Sequence, residues 1–210
     1  MRETLSAFEA RDMLAGVARH VLDNVDMLTV VDQAIGDGDH GIGMRRGFVA
    51  VLDDLAKTEP VSVAAVFKTV GTTILGKTGG AAGAVFGTLF RSGSAGFEGR
   101  ASFDAAGFAA FLADGLAAVE KRGGAKPGQK TMIDALAPAA EAARKAMPFG
   151  LVETIAAAAA AARAGVEATK GMVATTGKAR TLGERSLGHA DPGAVSFSLI
   201  LDAMREFIVG

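Results

Sequence analysis

Apolar residues recur along the chain at intervals of three and four positions, the spacing of residues on one face of an α-helix. The first stripe contains Leu14, Val17, Val21 and Leu28, and no segment shows the clear alternation that indicates a β-strand. Similar stripes predict further helices near residues 44–55, 63–74, 85–90, 108–119, 131–147, 151–172 and 195–207. About eight helices with short connections predict an all-α fold, either an antiparallel helical bundle or a closed helical barrel.

Size and composition narrow the class of protein. The 210 residues are half hydrophobic, which predicts one domain over residues 1–210. The 22 basic and 23 acidic residues nearly balance, so no overall field favours nucleic acid or an anionic membrane as a partner. The sequence has no signal-peptide pattern, no apolar run of the roughly 20 residues that span a bilayer, and no cysteine. We therefore expect a cytoplasmic protein.

The segment VVDQAIGDGDHGIGM, residues 30–44, places three aspartates and a histidine among glycines. Its glycines satisfy the dinucleotide pattern G-x-G-x-x-G, but Asp37 and Asp39 would repel a pyrophosphate and no alternation of strands and helices follows. A calcium loop that began at Asp37 would have Phe48 at its twelfth position, where a glutamate is required. Neither pattern explains the segment.

A site for hard cations fits Asp32, Asp37 and Asp39 better. Carboxylate oxygens suit Mg²⁺, which commonly links one or two carboxylates to the phosphates of a substrate. Gathering three carboxylates without a cation would cost electrostatic energy, whereas metal and polyphosphate together neutralise the charge. An Asp-Gly turn that caps the next helix accounts for one or two of the aspartates, but not for all three.

Two glycine-containing segments are candidate phosphate sites. The segment GTTILGKT satisfies the P-loop expression, yet Ile74 and Leu75 are bulky and Ile74 continues a helical stripe, which argues against a loop. The segment GKTGGAAGAVFGTLF instead begins a helix at Gly79, Gly80 and Gly83, where free amides form an anion site. Tight helix packing is the alternative explanation of these glycines.

Two later segments carry further candidates. In PGQKTMIDALAPA, Met132 either lies on a flat adenine ring through its polarizable sulfur or belongs to the core. In GERSLGHADPGAVS, Arg185 either clamps a phosphate or pairs with Glu184 or Glu167. Asp191 is either a ligand or the N-cap of a helix that starts at Pro192.

Together the segments DQAIGDGDHGIGM, GKTGGAAGAVFGTLF, PGQKTMIDAL and GERSLGHADPGAVS resemble the nucleotide-binding L subunit of dihydroxyacetone kinases, over essentially the whole chain. The resemblance implies a closed barrel of eight antiparallel helices with the nucleotide at one end. It implies that Asp32, Asp37 and Asp39 hold two Mg²⁺ ions at the phosphates of ADP or ATP. It also implies nucleotide contacts by His40, Gly41, Ile42, Gly43, Gly80, Ala81, Ala82, Gly123, Met132, Arg185, Asp191, Pro192 and Gly193.

The same resemblance implies half of an enzyme. In this family a separate ketose-binding kinase subunit holds the short ketose covalently through its own histidine, and the L subunit presents the phosphoryl group. No catalytic base is then needed in this chain. In some members a phosphotransferase-system protein recharges bound ADP, and in others free ATP exchanges; a free-standing chain of this length resembles the first group.

Departures from the family pattern leave the substrate open. Ala81 and Ala82 replace a usual hydroxyl residue in the glycine turn, and Gln129 replaces a usual acidic residue. The ketose is therefore dihydroxyacetone or a relative such as erythrulose. An ATP-dependent tetrose kinase subunit, a non-catalytic nucleotide-binding regulator and a helical scaffold without a ligand remain alternatives.

Overall fold

The computed structural model describes residues 2–210, and helices form nearly all of its regular structure. Over these residues the α-helices are α1 Ala7–Asp23, α2 Val25–Gln33, α3 His40–Lys57, α4 Val63–Lys77, α5 Gly80–Gly93, α6 Ala105–Gly123, α7 Ile133–Ala146, α8 Leu151–Lys170 and α9 Pro192–Val209. Short 3₁₀ helices cover Ser94–Phe97, Met147–Phe149 and Lys178–Ser186. In the described range, extended pairing is limited to one antiparallel bridge between Leu5 and Phe103.

Local hydrogen bonds fix where several helices begin. Ser6 and Glu9 form a capping box at α1, in which the Ser6 hydroxyl accepts from the Glu9 amide at 3.2 Å and Glu9 accepts from the Ser6 amide at 2.9 Å. The carboxylates of Asp104 and Asp191 cap α6 and α9, each by accepting a hydrogen bond from one amide in the first turn of its helix. These side chains satisfy amides that a helix leaves without internal acceptors.

Eight of the helices form a closed ring. Each helix from α3 to α9 packs against the next one along the chain, and α1 packs against both α3 and α9. Most connections are short, which makes successive helices antiparallel, and a longer one joins α8 to α9. The short helix α2 follows α1 after Asn24, whose side-chain amide donates to the His20 carbonyl at 2.8 Å, and packs on α3 and α9. The all-α closed barrel predicted from the sequence is confirmed, although its first helix is divided.

Phenylalanine rings fill the core between α4, α5 and α6. The ring of Phe67 lies within 6.0 Å, centroid to centroid, of the rings of Phe90, Phe97, Phe103 and Phe111. All five side chains are buried. Each pair of aromatic rings stabilises the fold by about 0.5–1.5 kcal/mol, in addition to the hydrophobic contribution of the ring surface that it buries.

Because neighbouring helices are antiparallel, every second connection lies at the same end of the ring. The α2–α3, α4–α5, α6–α7 and α8–α9 connections share one end, and these are the segments that carry the sequence motifs. The P-loop alternative is wrong, since all but the last residue of GTTILGKT lie inside α4 and Ile74 is fully buried. Within residues 2–210, no helix is long and apolar enough to cross a membrane.

Candidate functional site

A cavity of about 390 Å³ opens at the motif-bearing end of the ring, between the four connections. Its apolar lining is contributed by α5, α6 and α7 through Val85, Phe86, Val119, Met132 and Ile133. Its polar lining includes Asp32, Asp39, Arg46, Lys130, Lys178 and Asp191. Such a cavity suits a small molecule with an apolar ring at one side and a charged group at the other.

Three carboxylates gather at one side of this cavity. One oxygen from each of Asp32, Asp37 and Asp39 lies within 4.8 Å of the others. Asp32 belongs to the last turn of α2, and its Oδ2 accepts from the His40 amide at 3.1 Å. A Cβ at Gly36 would collide with Oδ1 of Asp32, so the glycine lets this carboxylate sit inside the turn.

A lysine from the α8–α9 connection neutralises part of the cluster. The Lys178 ammonium forms ion pairs with Asp37 and with Asp39, the latter at 2.9 Å. The hydrogen bond to Lys178 lowers the pKa of Asp37, and the two carboxylates raise the pKa of Lys178. One carboxylate oxygen of Asp37 and one of Asp39 thus contact the same cation, the Lys178 ammonium. An all-oxygen, partly exposed cluster of this kind fits Mg²⁺.

His40 fixes the start of α3 beside this cluster. Its Nε2 lies 2.7 Å from the buried Ser196 hydroxyl on α9. Burial lowers the pKa of His40, and the nearby charges of Asp32 and Asp39 act in the opposite direction with a smaller effect. The imidazole is therefore neutral near pH 7 and joins α3 to α9 where the carboxylates meet.

The α4–α5 turn supplies backbone donors. Gly79 has a φ of 78°, a left-handed conformation that favours glycine, and it directly precedes α5. Gly80, Ala81 and Ala82 form the first turn of α5 and line the cavity. Amides in a first turn lack acceptors within their own helix and lie at its positive end, so this wall of the cavity favours an anion.

The α6–α7 and α8–α9 connections form the remaining walls. Met132, Gly123, Pro192 and Gly193 line the cavity, and a Cβ at Gly193 would lie 3.3 Å from Cβ of Met132. Asp191 caps α9 by accepting from the Ala194 amide at 2.8 Å. Burial raises the pKa of Asp191 to about 7.

Lys130 holds the two ends of the long α8–α9 connection together. Only 2% of its surface is exposed, and its ammonium donates to the carbonyls of Thr169 and His189, at 2.5 Å each. Its φ of 58° is unusual for a residue with a side chain. Burial lowers the pKa of Lys130 despite the nearby carboxylates of Asp191 and Asp134. Lys130 therefore sets the position of the wall that contains Asp191.

Most of the residues predicted from the sequence meet at this cavity. Asp37 belongs to the carboxylate cluster, and the others that line the cavity are Asp32, Asp39, His40, Gly43, Gly80, Ala81, Ala82, Gly123, Met132, Asp191, Pro192 and Gly193. Gly41 is buried against Thr29 of α2, and 55% of Ile42 is exposed. Neither of these two lines the cavity.

Arg185 is also absent from the lining. It lies exposed in the 3₁₀ helix Lys178–Ser186, and Glu167, one of the glutamates considered as its partner, pairs with Lys170 instead. The cation that this connection brings to the cavity is Lys178. The sequence analysis gave no role to Arg46, Lys130 and Lys178. Lys130 lies within the segment PGQKTMIDALAPA, and Arg46 and Lys178 lie near other motif segments.

The family profile described as the DAK2 domain matches residues 34–206. The ADP-binding subunit DhaL of PEP-dependent dihydroxyacetone kinase 1 from Listeria innocua is 41% identical to this chain, and the match covers 89% of each protein. The corresponding subunit DhaL from Escherichia coli is 36% identical, over 85% of this chain and 86% of that protein.

Longer relatives contain a similar region. L-erythrulose 1-kinase from Mycolicibacterium smegmatis is 34% identical over 89% of this chain, but the match covers only 33% of that enzyme. The crystal structure of the dihydroxyacetone kinase from C. freundii in complex with AMP-PNP and Mg²⁺ aligns with a TM-score of 0.74 at 27% identity, over 98% of this chain and 35% of that one. The chain therefore belongs to the DAK2-domain family and is homologous to the ADP-binding subunits of dihydroxyacetone kinases.

Proposed function

We propose that this chain, as one domain over residues 1–210, is the nucleotide-binding subunit of a two-subunit ketose kinase. It binds ADP or ATP with Mg²⁺ and presents a phosphoryl group to dihydroxyacetone, or a related short ketose, held on a separate subunit. One observation carries the proposal: a carboxylate cluster and the first-turn amides of α5 face the same cavity as an apolar pocket around Met132.

Each wall of the cavity then contacts a different part of the nucleotide. Met132, Gly123, Pro192 and Gly193 border the adenine ring, whose flat apolar face suits the methionine sulfur. The amides from Gly80 to Ala82 donate to phosphate oxygens. His40 and Gly43 complete the wall between these two regions.

Asp32, Asp37 and Asp39 would hold the two Mg²⁺ ions, and bound Mg²⁺ would neutralise charge on the phosphates during transfer. Asp37 and Asp39 would then exchange their contact with Lys178 for contact with metal. No side chain of this chain needs to act as a base, because the subunit contributes by positioning and by electrostatics. Arg185 joins the site only if the α8–α9 connection moves.

The relatives favour dihydroxyacetone and a phosphotransferase-system phosphoryl source. The subunits named PEP-dependent are 41% and 36% identical over most of their length, whereas the erythrulose kinase matches over a third of its length. The departures in the sequence are compatible with this proposal. Ala81 and Ala82 retain their backbone amides, and the Gln129 side-chain oxygen accepts from the Lys126 amide at 2.9 Å, which a carboxylate would also do.

Calorimetry on nucleotide-stripped protein tests the binding step. ADP should bind with Mg²⁺ and should bind far more weakly with a chelator. Asp37→Asn should weaken the Mg²⁺-dependent binding, whereas the matched control Asp26→Asn, an exposed aspartate of α2, should leave it unchanged. Absence of binding in both buffers would contradict the nucleotide site.

A transfer assay tests the kinase step. The chain is combined with a ketose-binding subunit and dihydroxyacetone, and either ATP or a phosphotransferase system supplied with phosphoenolpyruvate is added. We expect dihydroxyacetone phosphate to form with the phosphotransferase system. Nucleotide binding without transfer from either source would contradict the kinase assignment and favour a regulator.

A further inference from the structure

Arg46 lies where the α4–α5 turn meets the cavity. It belongs to the second turn of α3, and its Nη2 donates to the carbonyl of Thr78 at 3.0 Å. The same nitrogen would lie 3.3 Å from a Cβ at Gly79. The guanidinium therefore rests against the residue that precedes α5, and it lines the cavity.

The guanidinium keeps most of its donors free. Among residues 2–210, no carboxylate lies within 4.0 Å of Arg46, in contrast to Lys178, which has two. The bond to Thr78 uses one N–H of a planar group that carries several. An arginine whose only task was to satisfy the last carbonyls of α4 would need no more than this bond. The remaining donors are available to a ligand.

The position of α3 indicates which part of a nucleotide Arg46 would meet. Helix α3 packs against both α2, which carries Asp32, and α4, which leads into the glycine turn. Arg46 therefore lies on the phosphate side of the cavity, between two elements proposed to contact phosphate. Met132, proposed to border the adenine, is contributed by the start of α7.

We propose that Arg46 binds the terminal phosphate of the nucleotide and makes the site select di- and triphosphates over monophosphates. The inference rests on the proposed function, because it assigns a residue to the same nucleotide site. A guanidinium can donate two parallel hydrogen bonds to a phosphate, which an ammonium cannot reproduce. Arg46 thus supplies a fixed positive charge to a cavity that is also lined by the carboxylates of Asp32 and Asp39.

Affinities for ADP and AMP in the presence of Mg²⁺ test this inference. AMP is measured as a competitor of ADP, in the wild type and in the variants Arg46→Ala and Arg46→Lys. The matched control is Arg45→Ala, which removes an exposed arginine of the same helix that does not line the cavity. We expect Arg46→Ala to weaken ADP binding about tenfold to a hundredfold and AMP binding about twofold or less. Arg46→Lys should fall between the wild type and Arg46→Ala.

Other outcomes overturn the inference. Equal losses for ADP and AMP would mean that Arg46 only holds the turn through Thr78, and unchanged affinities would mean that it does not contact the ligand. A wild type and an Arg45→Ala variant that both fail to bind Mg²⁺-ADP would instead overturn the proposed function itself. Failure of the nucleotide site is thereby distinguished from failure of the Arg46 assignment.

Discussion

The two ends of the helical ring differ in what they bury. Near the α5–α6 connection, Phe97 and Phe103 pack against Phe67, and Leu5 pairs with Phe103 through two backbone hydrogen bonds of 2.9 and 2.8 Å. Near the α4–α5 turn, the chain instead gathers three carboxylates, the first-turn amides of α5 and several cations around a cavity. One end is built for stability, and the other keeps groups that folding alone does not need.

Two buried polar atoms lack a hydrogen-bond partner in the described residues, and one of them lies beside the cavity, whereas the other, Nε of Arg205 on α9, does not line it. In the described part of the chain, the buried hydroxyl of Thr78 has no hydrogen-bond partner, and it lies in the turn that leads into α5. Arg46, beside it, has no carboxylate partner within residues 2–210. Groups left unpaired in a folded protein tend to mark functional sites. Substitutions at the two ends should therefore have opposite consequences for stability and for binding.

The largest effect is expected at the aromatic end. Phe67→Ala should lower the free energy of unfolding by about 3–5 kcal/mol, because it leaves a cavity among four other rings. Urea unfolding measures the loss, and the native fraction should keep its affinity for Mg²⁺-ADP. Val61→Ala, in the α3–α4 connection and 87% exposed, is the control. If Phe67→Ala kept its stability but lost ADP binding, the assignment of stability to the aromatic end and of binding to the charged end would be contradicted.

Substitution at the charged end should do the reverse. Replacing Asp37 and Asp39 together by asparagine should weaken Mg²⁺-dependent ADP binding by at least about a hundredfold, since loss of even an outer partner of a metal ligand costs about 10–100-fold. The urea midpoint should change little, because the removal of two neighbouring like charges offsets the loss of their exposed ion pairs with Lys178. Calorimetry and urea unfolding measure the two quantities. A lower midpoint with unchanged affinity would show that the cluster is structural.

A pH profile tests one buried carboxylate at the charged end. The pKa of Asp191 is about 7 in the folded protein and about 4 in the unfolded chain, so the folded protein holds an extra proton between these values. Its contribution to stability therefore decreases as the pH rises from 4 to 7, by up to about 1.4 kcal/mol per pH unit. Asp191→Asn keeps a capping side chain but cannot ionise.

The stability of Asp191→Asn relative to the wild type should thus increase as the pH rises through this window. Urea unfolding at several pH values between 4 and 7 measures the difference. Parallel profiles for the two proteins would show that burial does not raise the pKa of Asp191.

The sequence predicted the fold well because helical periodicity is local information. The helices and their buried faces follow from the spacing of apolar residues. Periodicity left a bundle or a closed barrel open, and the closed ring, which the family resemblance implied, is confirmed. The break at Asn24 was not predicted, because it depends on one side-chain hydrogen bond to His20. The cluster around Phe67 was not predicted either. Periodicity shows which face of a helix is buried, but not which distant residues will share that part of the core.

Most of the predicted glycines and aspartates meet at the cavity, whereas the cations that line it were not predicted. Asp32, Asp37 and Asp39 form a pattern that is unusual by itself, so it can be recognised from residue types alone. The sequence around a single lysine or arginine does not indicate which residues its side chain will contact in the folded protein. Arg185 stood in a recognisable motif and lies exposed, whereas Lys178 from the same 3₁₀ helix contacts the carboxylates. Three-dimensional proximity was needed to tell them apart.

The smallest effect concerns this lysine, and it tests whether Lys178 competes with metal for the carboxylates or holds them in place for metal. If the Lys178 ammonium occupies oxygens that otherwise bind metal, Lys178→Ala should increase the affinity of the nucleotide-free protein for Mn²⁺ about two- to fivefold, the scale of an exposed ion pair. Electron paramagnetic resonance of free Mn²⁺ measures this affinity. Lys170→Ala, which breaks an exposed pair with Glu167, is the control. Weaker Mn²⁺ binding in Lys178→Ala would instead mean that the lysine holds Asp37 and Asp39 in the geometry that a metal requires.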